Sequence, residues 1–188
     1  MLMDVAGKNI FLAFADYEHL LESSLDAPEK VGDHLYASTS THSPWAQWIG
    51  YKAKTATAES ISKLAEVLLA EKIFWSDVNF KFHRRGSLIS ENLPQIKDPS
   101  IPWSGKHLPF AERKPIGMWF LTTQENIIYC PQTNLPFPKG MVKFQESKIP
   151  PSRAYLKLWE VFTLHCQPPD RKSRVLDFGA SPGGWTWV

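Results

Sequence analysis

The sequence predicts an α/β protein in two parts joined by a basic, proline-rich linker. Residues 1–130 read as a small α+β domain, residues 131–150 as the linker, and residues 151–188 as a helix, a strand and a glycine-rich turn. Three observations predict this. Short apolar runs alternate with stretches of helical periodicity through the first 130 residues. After Pro131 the chain turns basic and proline-stiffened. Near the end an apolar run feeds directly into Gly179-Ala180-Ser181-Pro182-Gly183-Gly184, and a strand entering a glycine turn and a helix start is how α/β proteins bring backbone close to a nucleotide.

In order, residues 10–14 (IFLAF) read as a short buried strand. Asp16 can cap a helix running to about Leu25, with Leu20 and Leu21 inward. Residues 26–44 read as loop with one strand near Leu35, and residues 45–51 as an aromatic patch. The clearest helix is 57–72: Thr57 caps it, Glu59 complements its dipole, and Ile61, Leu64, Ala65, Leu68 and Lys72 share a side. Residues 78–82 alternate as a half-buried strand, and His83-Arg84-Arg85-Gly86 follows as a basic turn. Five prolines between 92 and 115 mark an irregular segment. Residues 118–122 and 126–129 form a hairpin around Gln124-Glu125, and residues 135–140 a stiffened loop.

In the last part, Ser152 can cap a helix to about Cys166. Tyr155, Leu158, Trp159, Phe162 and Cys166 share one face, with Ala154, Val161 and Leu164 near the other, as in a buried helix. Lys157 stands among the latter three, with Arg153 a like charge four residues before it. Desolvation and a cationic neighbour favour the neutral amine, which suits proton chemistry; alternatively the lysine snorkels at the edge of a core. Residues 175–178 read as a strand. The glycines after it match neither the dinucleotide nor the Walker spacing, and no phosphate-seeking lysine follows, so a cofactor without a phosphate fits better. Asp177, at the strand end, can orient the loop or meet a cationic ligand.

Composition bounds the function. The chain has 188 residues, 43% hydrophobic and 21% charged, which excludes a disordered or fibrous protein. No apolar run reaches the ~20 residues of a spanning helix, and no secretory leader is visible. Two cysteines, Cys130 and Cys166, make no disulfide framework, so a reduced, cytoplasmic setting is expected. The net charge of +2 is uneven. Seven acids face two lysines in residues 1–35, and eight bases face three acids in 139–174. The basic third is either a solvated face or a surface for an anionic partner. The eight tryptophans can stack bases, but core burial suits most of them. The histidines and cysteines lack metal-ligand spacing, so no metal is expected. His42-Ser43 lacks a partner acid and reads as loop rather than hydrolase.

The segment VLDFGASPGGWTWV (175–188) resembles the first S-adenosylmethionine (SAM) motif of FtsJ-like ribose 2′-O-methyltransferases. PSRAYLKLWEVF (151–162) resembles the helix upstream of that motif in the same family. Together with the basic loop before it, the segment from 137 to 188 resembles the bacterial ribosomal large subunit methyltransferase M subgroup. The resemblance implies a THUMP-like RNA-binding domain over the first part and the opening of a Rossmann-like methyltransferase domain over 151–188. It implies SAM as cofactor, held by Asp177, Gly179, Ser181, Pro182, Gly183, Gly184 and Trp185. It implies Lys157 as the first lysine of a lysine–aspartate–lysine–glutamate catalytic set. The partner would be RNA, in particular large-subunit ribosomal RNA, with no DNA or membrane partner; Lys139, Lys143, Lys148 and Arg153 would follow its backbone. His83-Arg84-Arg85 is either a contact for RNA phosphate or a solvated turn.

The sequence stops at Val188, before the family's ribose-binding acid and the other three catalytic positions. The chain is therefore expected to be the front portion of such an enzyme, inactive alone, with residues 175–178 short of parallel neighbours. The rival class is a non-catalytic RNA-binding or remnant protein. A nicotinamide oxidoreductase is disfavoured by the glycine spacing.

Overall fold

The computed structural model describes residues 4–96, 100–107 and 113–188. Among them run β1 (Asn9–Ala13), α1 (Glu18–Ser24), β2 (Glu29–Gly32), β3 (Leu35–Ser38), β4 (Ala46–Tyr51), β5 (Lys54–Thr57), α2 (Ile61–Leu69), β6 (Phe74–Asp77), α3 (His83–Glu91), β7 (Ser100–Ile101), β8 (Ile116–Leu121), β9 (Asn126–Cys130), β10 (Gln132–Thr133), β11 (Lys143–Phe144), α4 (Tyr155–Leu164) and α5 (Gly184–Trp187). The chain forms two units, residues 1–97 with 113–141 and residues 98–112 with 142–188. Residues 131–141 of the expected linker thus stay with the first unit, while residues 98–112 group with the second.

Period-two alternation builds the first unit. One sheet has the order β10-β4-β1-β3-β2 and is antiparallel throughout; the other has the order β5-β9-β8-β6, parallel only at β6–β8. Ile10 and Leu12 of β1 join Met118 and Phe120 of β8 in a core between the sheets. Their neighbours point the other way. Phe11 and Ala13 meet Leu21 and Leu25 around α1, and Trp119 and Leu121 meet Leu64, Leu68 and Ile89 of α2 and α3. The layers therefore run helix, sheet, sheet, helices.

Several expectations shift. Asp16 lies in a 3-10 turn, and α1 has no side-chain cap. Residues 26–44 hold a hairpin, β2–β3, turning through Asp33 and His34, with His34 at φ +59°. Thr57 closes β5; the helix starts later, and Ser60 caps it by accepting the Lys63 N–H at 3.2 Å. The strand expected at 78–82 lies four residues earlier as β6, where Phe74 to Asp77 pair with β8. The basic turn at His83 is instead helix α3, which tolerates Gly86 because Asn79 Nδ2 would sit 2.7 Å from a Cβ there. The hairpin around Gln124-Glu125 forms as β8–β9. The irregular stretch 92–115 contains β7, with residues 97–99 and 108–112 outside the described ones.

The second unit is organised by aromatic side chains. Trp159 stacks on Trp103 (5.3 Å between ring centroids, planes 10° apart) and meets Tyr155 edge-on at 4.6 Å. Phe144 and Trp187 approach Trp159 from elsewhere at 5.5 and 5.9 Å. The Tyr155 hydroxyl accepts the Ser147 N–H at 2.7 Å and donates to the Ser147 carbonyl, tying the preceding loop to α4. Trp159 joins Trp48, Trp75 and Trp119 as buried; Trp45, Trp185 and Trp187 are exposed.

One expected element is absent. Residues 175–178 form no strand: Val175, Leu176 and Phe178 are 66, 82 and 90% exposed. A β-strand needs a partner for its backbone groups, and among the described residues nothing pairs with these. Of the helix, strand and glycine turn expected over 151–188, the helix forms as α4 and the turn leads into α5, while the strand does not form.

Candidate functional site

The glycine turn and the helix before it are held together in the second unit. Gly179 and Gly183 take φ of +76° and +94°, a region that L side chains rarely adopt. The Gly183 N–H donates to the Ala180 carbonyl, and α5 begins at the next residue. Gly184 is buried against the segment entering α4: a Cβ there would collide with Ser152 Oγ and lie 3.3 Å from the Ala154 Cβ. Trp185 Nε1 donates to the Ala154 carbonyl at 2.8 Å. Trp187 meets Tyr155 at 5.5 Å. The two sequence stretches singled out above, 151–162 and 175–188, therefore contact each other directly.

Ser152 does not cap the helix. Ala154 occupies that position without a side-chain bond, and the buried Ser152 Oγ has no hydrogen-bond partner among the described residues. Its packing on Gly184 is a role that the sequence did not reveal.

An open cleft of about 950 Å³ adjoins this region. That lies within the range of small-molecule sites, about 300–1,000 Å³. Trp103, Phe162 and Trp185 give it aromatic walls, while Asp170, Arg171 and Asp177 supply charge of both signs. Asp177 is partly buried, and its Oδ2 accepts the Thr186 hydroxyl at 2.6 Å, which links the segment before the glycines to α5. Of the expected cofactor residues, Asp177 and Trp185 line the cleft; Gly179, Ser181, Pro182, Gly183 and Gly184 do not.

Lys157 is solvent-exposed on α4 and does not line the cleft, so the desolvation expected for it is absent. Its neighbour Arg153 pairs with Glu146 at 2.6 Å. Lys143 and Lys148 are exposed in the second unit. Lys139 belongs to the first unit, where its N–H donates to Ser76 Oγ and its carbonyl accepts from Gln47.

A charge cluster in the first unit was also not foreseen. Glu18 accepts from Lys30 and Tyr36 at 2.7 Å and lies 2.6 Å from His34 Nδ1. The Lys30 hydrogen bond, with help from Tyr36 and His34, outweighs burial and holds the Glu18 carboxyl at about 2. This joins α1 to the β2–β3 hairpin. Cys130 is buried, and desolvation pushes its thiol up to about 12, so it is no nucleophile. Among the described residues no three His, Cys, Asp or Glu side chains gather as metal ligands, and no helix is long and apolar enough to cross a membrane.

No family model matches the chain. It is similar to proteins named ribosomal RNA large subunit methyltransferase M. The one from Tolumonas auensis is 33% identical over 94 residues, 45% of this chain and 26% of the relative. That from Methylococcus capsulatus is 38% identical over 61 residues, 30% and 17% respectively. That from Pseudoalteromonas translucida is 34% identical over 87 residues, 42% and 24%. The chain thus spans about a quarter or less of the length of these curated relatives.

Proposed function

We propose that the chain is the leading part of a cytoplasmic, SAM-dependent ribose 2′-O-methyltransferase acting on large-subunit ribosomal RNA. In this reading the first unit is a THUMP-like RNA-binding domain and residues 151–188 open a Rossmann-like catalytic domain. The observation that carries it is the seating of Gly184 and Trp185 on Ser152 and Ala154. That contact supports treating the two motif-bearing stretches as one site rather than two chance likenesses. The names of the relatives support methyl transfer to ribosomal RNA.

The cleft beside this contact fits SAM in volume and chemistry. Trp103 and Trp185 offer faces for a flat base, and the Asp177 carboxylate suits a cationic sulfonium. Nothing lies within 4 Å of where a Gly179 Cβ would be, so that turn is open to a ligand. When bound, SAM supplies an electrophilic methyl group. Asp177 and Trp185, which line the cleft, would hold and orient it there, while the family resemblance assigns the backbone of the glycine turn and the Lys157 ammonium group, both outside the cleft, to the cofactor and to the ribose hydroxyl that attacks. In such a displacement, alignment of the reacting groups supplies much of the rate, and proton removal from the hydroxyl aids it. Lys143, Lys148 and Arg153, with Lys139 in the other unit, would meet the RNA backbone.

The exposed Val175, Leu176 and Phe178, unpaired among the described residues, fit a strand whose neighbours are supplied by further sequence. These 188 residues are accordingly expected to show no single-turnover methyl transfer to unmodified ribosomal RNA, and 2′-O-methylation by them alone would overturn that part of the proposal. One observation favours the second reading, a non-catalytic RNA-binding protein: Lys157 stands outside the cleft. Equilibrium dialysis with labelled SAM separates the two. The proposal expects binding that falls at least tenfold in Asp177→Asn, whereas RNA binding without any SAM binding by the protein from its source cells favours the second.

A further inference from the structure

The first turn of α3 places three basic residues, His83, Arg84 and Arg85, where a helix favours acids, and no acid offsets them there. A local rule broken without a visible compensating contact is expected at functional sites. The three line an open pocket of about 430 Å³ with no Asp or Glu among its lining residues. Its remaining wall includes the apolar Phe82 and Leu88, with Gln124 from the β8–β9 turn. His83 and Arg84 are exposed. Arg85 is fixed instead: its Nη2 donates to the Glu59 carbonyl at 2.5 Å, while its Nε is buried with no hydrogen-bond partner among the described residues.

We propose that this pocket binds a phosphodiester of a single-stranded polynucleotide, the phosphate on Arg84, Arg85 and His83 and the neighbouring base or sugar against Phe82 and Leu88. Two features favour a polynucleotide over a lone anion. The space exceeds one phosphate, and the apolar wall beside the cations offers a surface of the kind on which bases rest. The inference does not rest on the methyl-transfer reading, and its failure leaves that reading untouched.

The test is binding of fluorescently labelled octauridylate by the whole chain, measured from 50 to 200 mM salt. Three variants are compared: Arg84→Gln, Arg85→Gln and, as a charge-matched control outside the pocket, Lys52→Gln. Arg84 is exposed, so its replacement leaves folding intact, and melting curves check this. Arg84→Gln is expected to weaken binding about three- to tenfold and to lower the slope of log K against log salt by about 0.7, the loss of one contact to a single strand. Lys52→Gln is expected to leave both unchanged. Equal affinity and slope in Arg84→Gln and wild type would overturn the proposal, as would an equal loss in Lys52→Gln, which indicates diffuse attraction. Binding of inorganic phosphate without octauridylate would also overturn it, by showing a site for a free anion.

Discussion

The contact between Gly184 and Ser152 makes a quantitative prediction. In Gly184→Ala the new methyl collides with Ser152 Oγ, while every other atom is 3.3 Å or more away. The segment has to give or α5 has to lift, and overpacking of this kind costs about 1–3 kcal/mol. Better helix propensity of alanine returns at most about 1 kcal/mol. Ser152→Ala alone removes a buried oxygen that has no partner, so it is expected to be neutral or mildly stabilising. The double variant then accommodates both methyls, and the cost of Gly184→Ala largely disappears. Hydrogen exchange of the amides in 152–188, followed by mass spectrometry, reads local opening. A net cost of about 1–2 kcal/mol corresponds to roughly 5- to 30-fold faster exchange in Gly184→Ala, with a return toward wild type in the double variant. Additive effects of the two substitutions would refute the packing argument, because residues out of contact do not couple.

Two further outcomes are expected. Glu18→Gln destabilises the first unit above pH 4.5. The folded carboxyl lies at about 2 against an ordinary 4.5, an upper bound of about 3 kcal/mol that the 55% exposure of Lys30 reduces to roughly 1 kcal/mol. Because the folded value is depressed, this stability is present above 4.5 and is lost as pH falls toward 2; urea titrations of both proteins at pH 7 and pH 3 should show the gap shrinking by more than half. For the cysteines, a thiol reagent at neutral pH is expected to label exposed Cys166 at once and buried Cys130 only on unfolding.

Where alternation or helical spacing was strong, the elements were legible in the sequence, whereas the caps expected at Asp16, Thr57 and Ser152 were not. Residues 10–13, the β8–β9 hairpin, the inward face of α2 and the aromatic face of α4 follow from spacing alone. The failures have particular causes. β6 shows no alternation because it is buried from both sides beside a parallel neighbour, so the better-patterned 78–82 drew the assignment. The β2–β3 turn puts His34, not glycine, at positive φ, so no turn signal stood out. Gly86 looks like punctuation but lies inside α3, where Asn79 leaves no room for a side chain. At the candidate site the sequence pointed to the glycine turn and its helix. It could not show that Ser152 packs rather than caps, because that depends on where α5 docks, and it left Lys157 open between a desolvated and a solvated place, of which the structure shows the exposed one.

The most direct test of the central claim is methyl transfer by the protein isolated from its own source cells, using labelled SAM and unmodified large-subunit ribosomal RNA, with the product nucleoside identified. The account predicts label on a ribose 2′-oxygen and a loss of at least a hundredfold in Lys157→Ala, in keeping with general acid–base contributions of about 10²–10⁴. Label on a base, no transfer, or full activity in Lys157→Ala would contradict it.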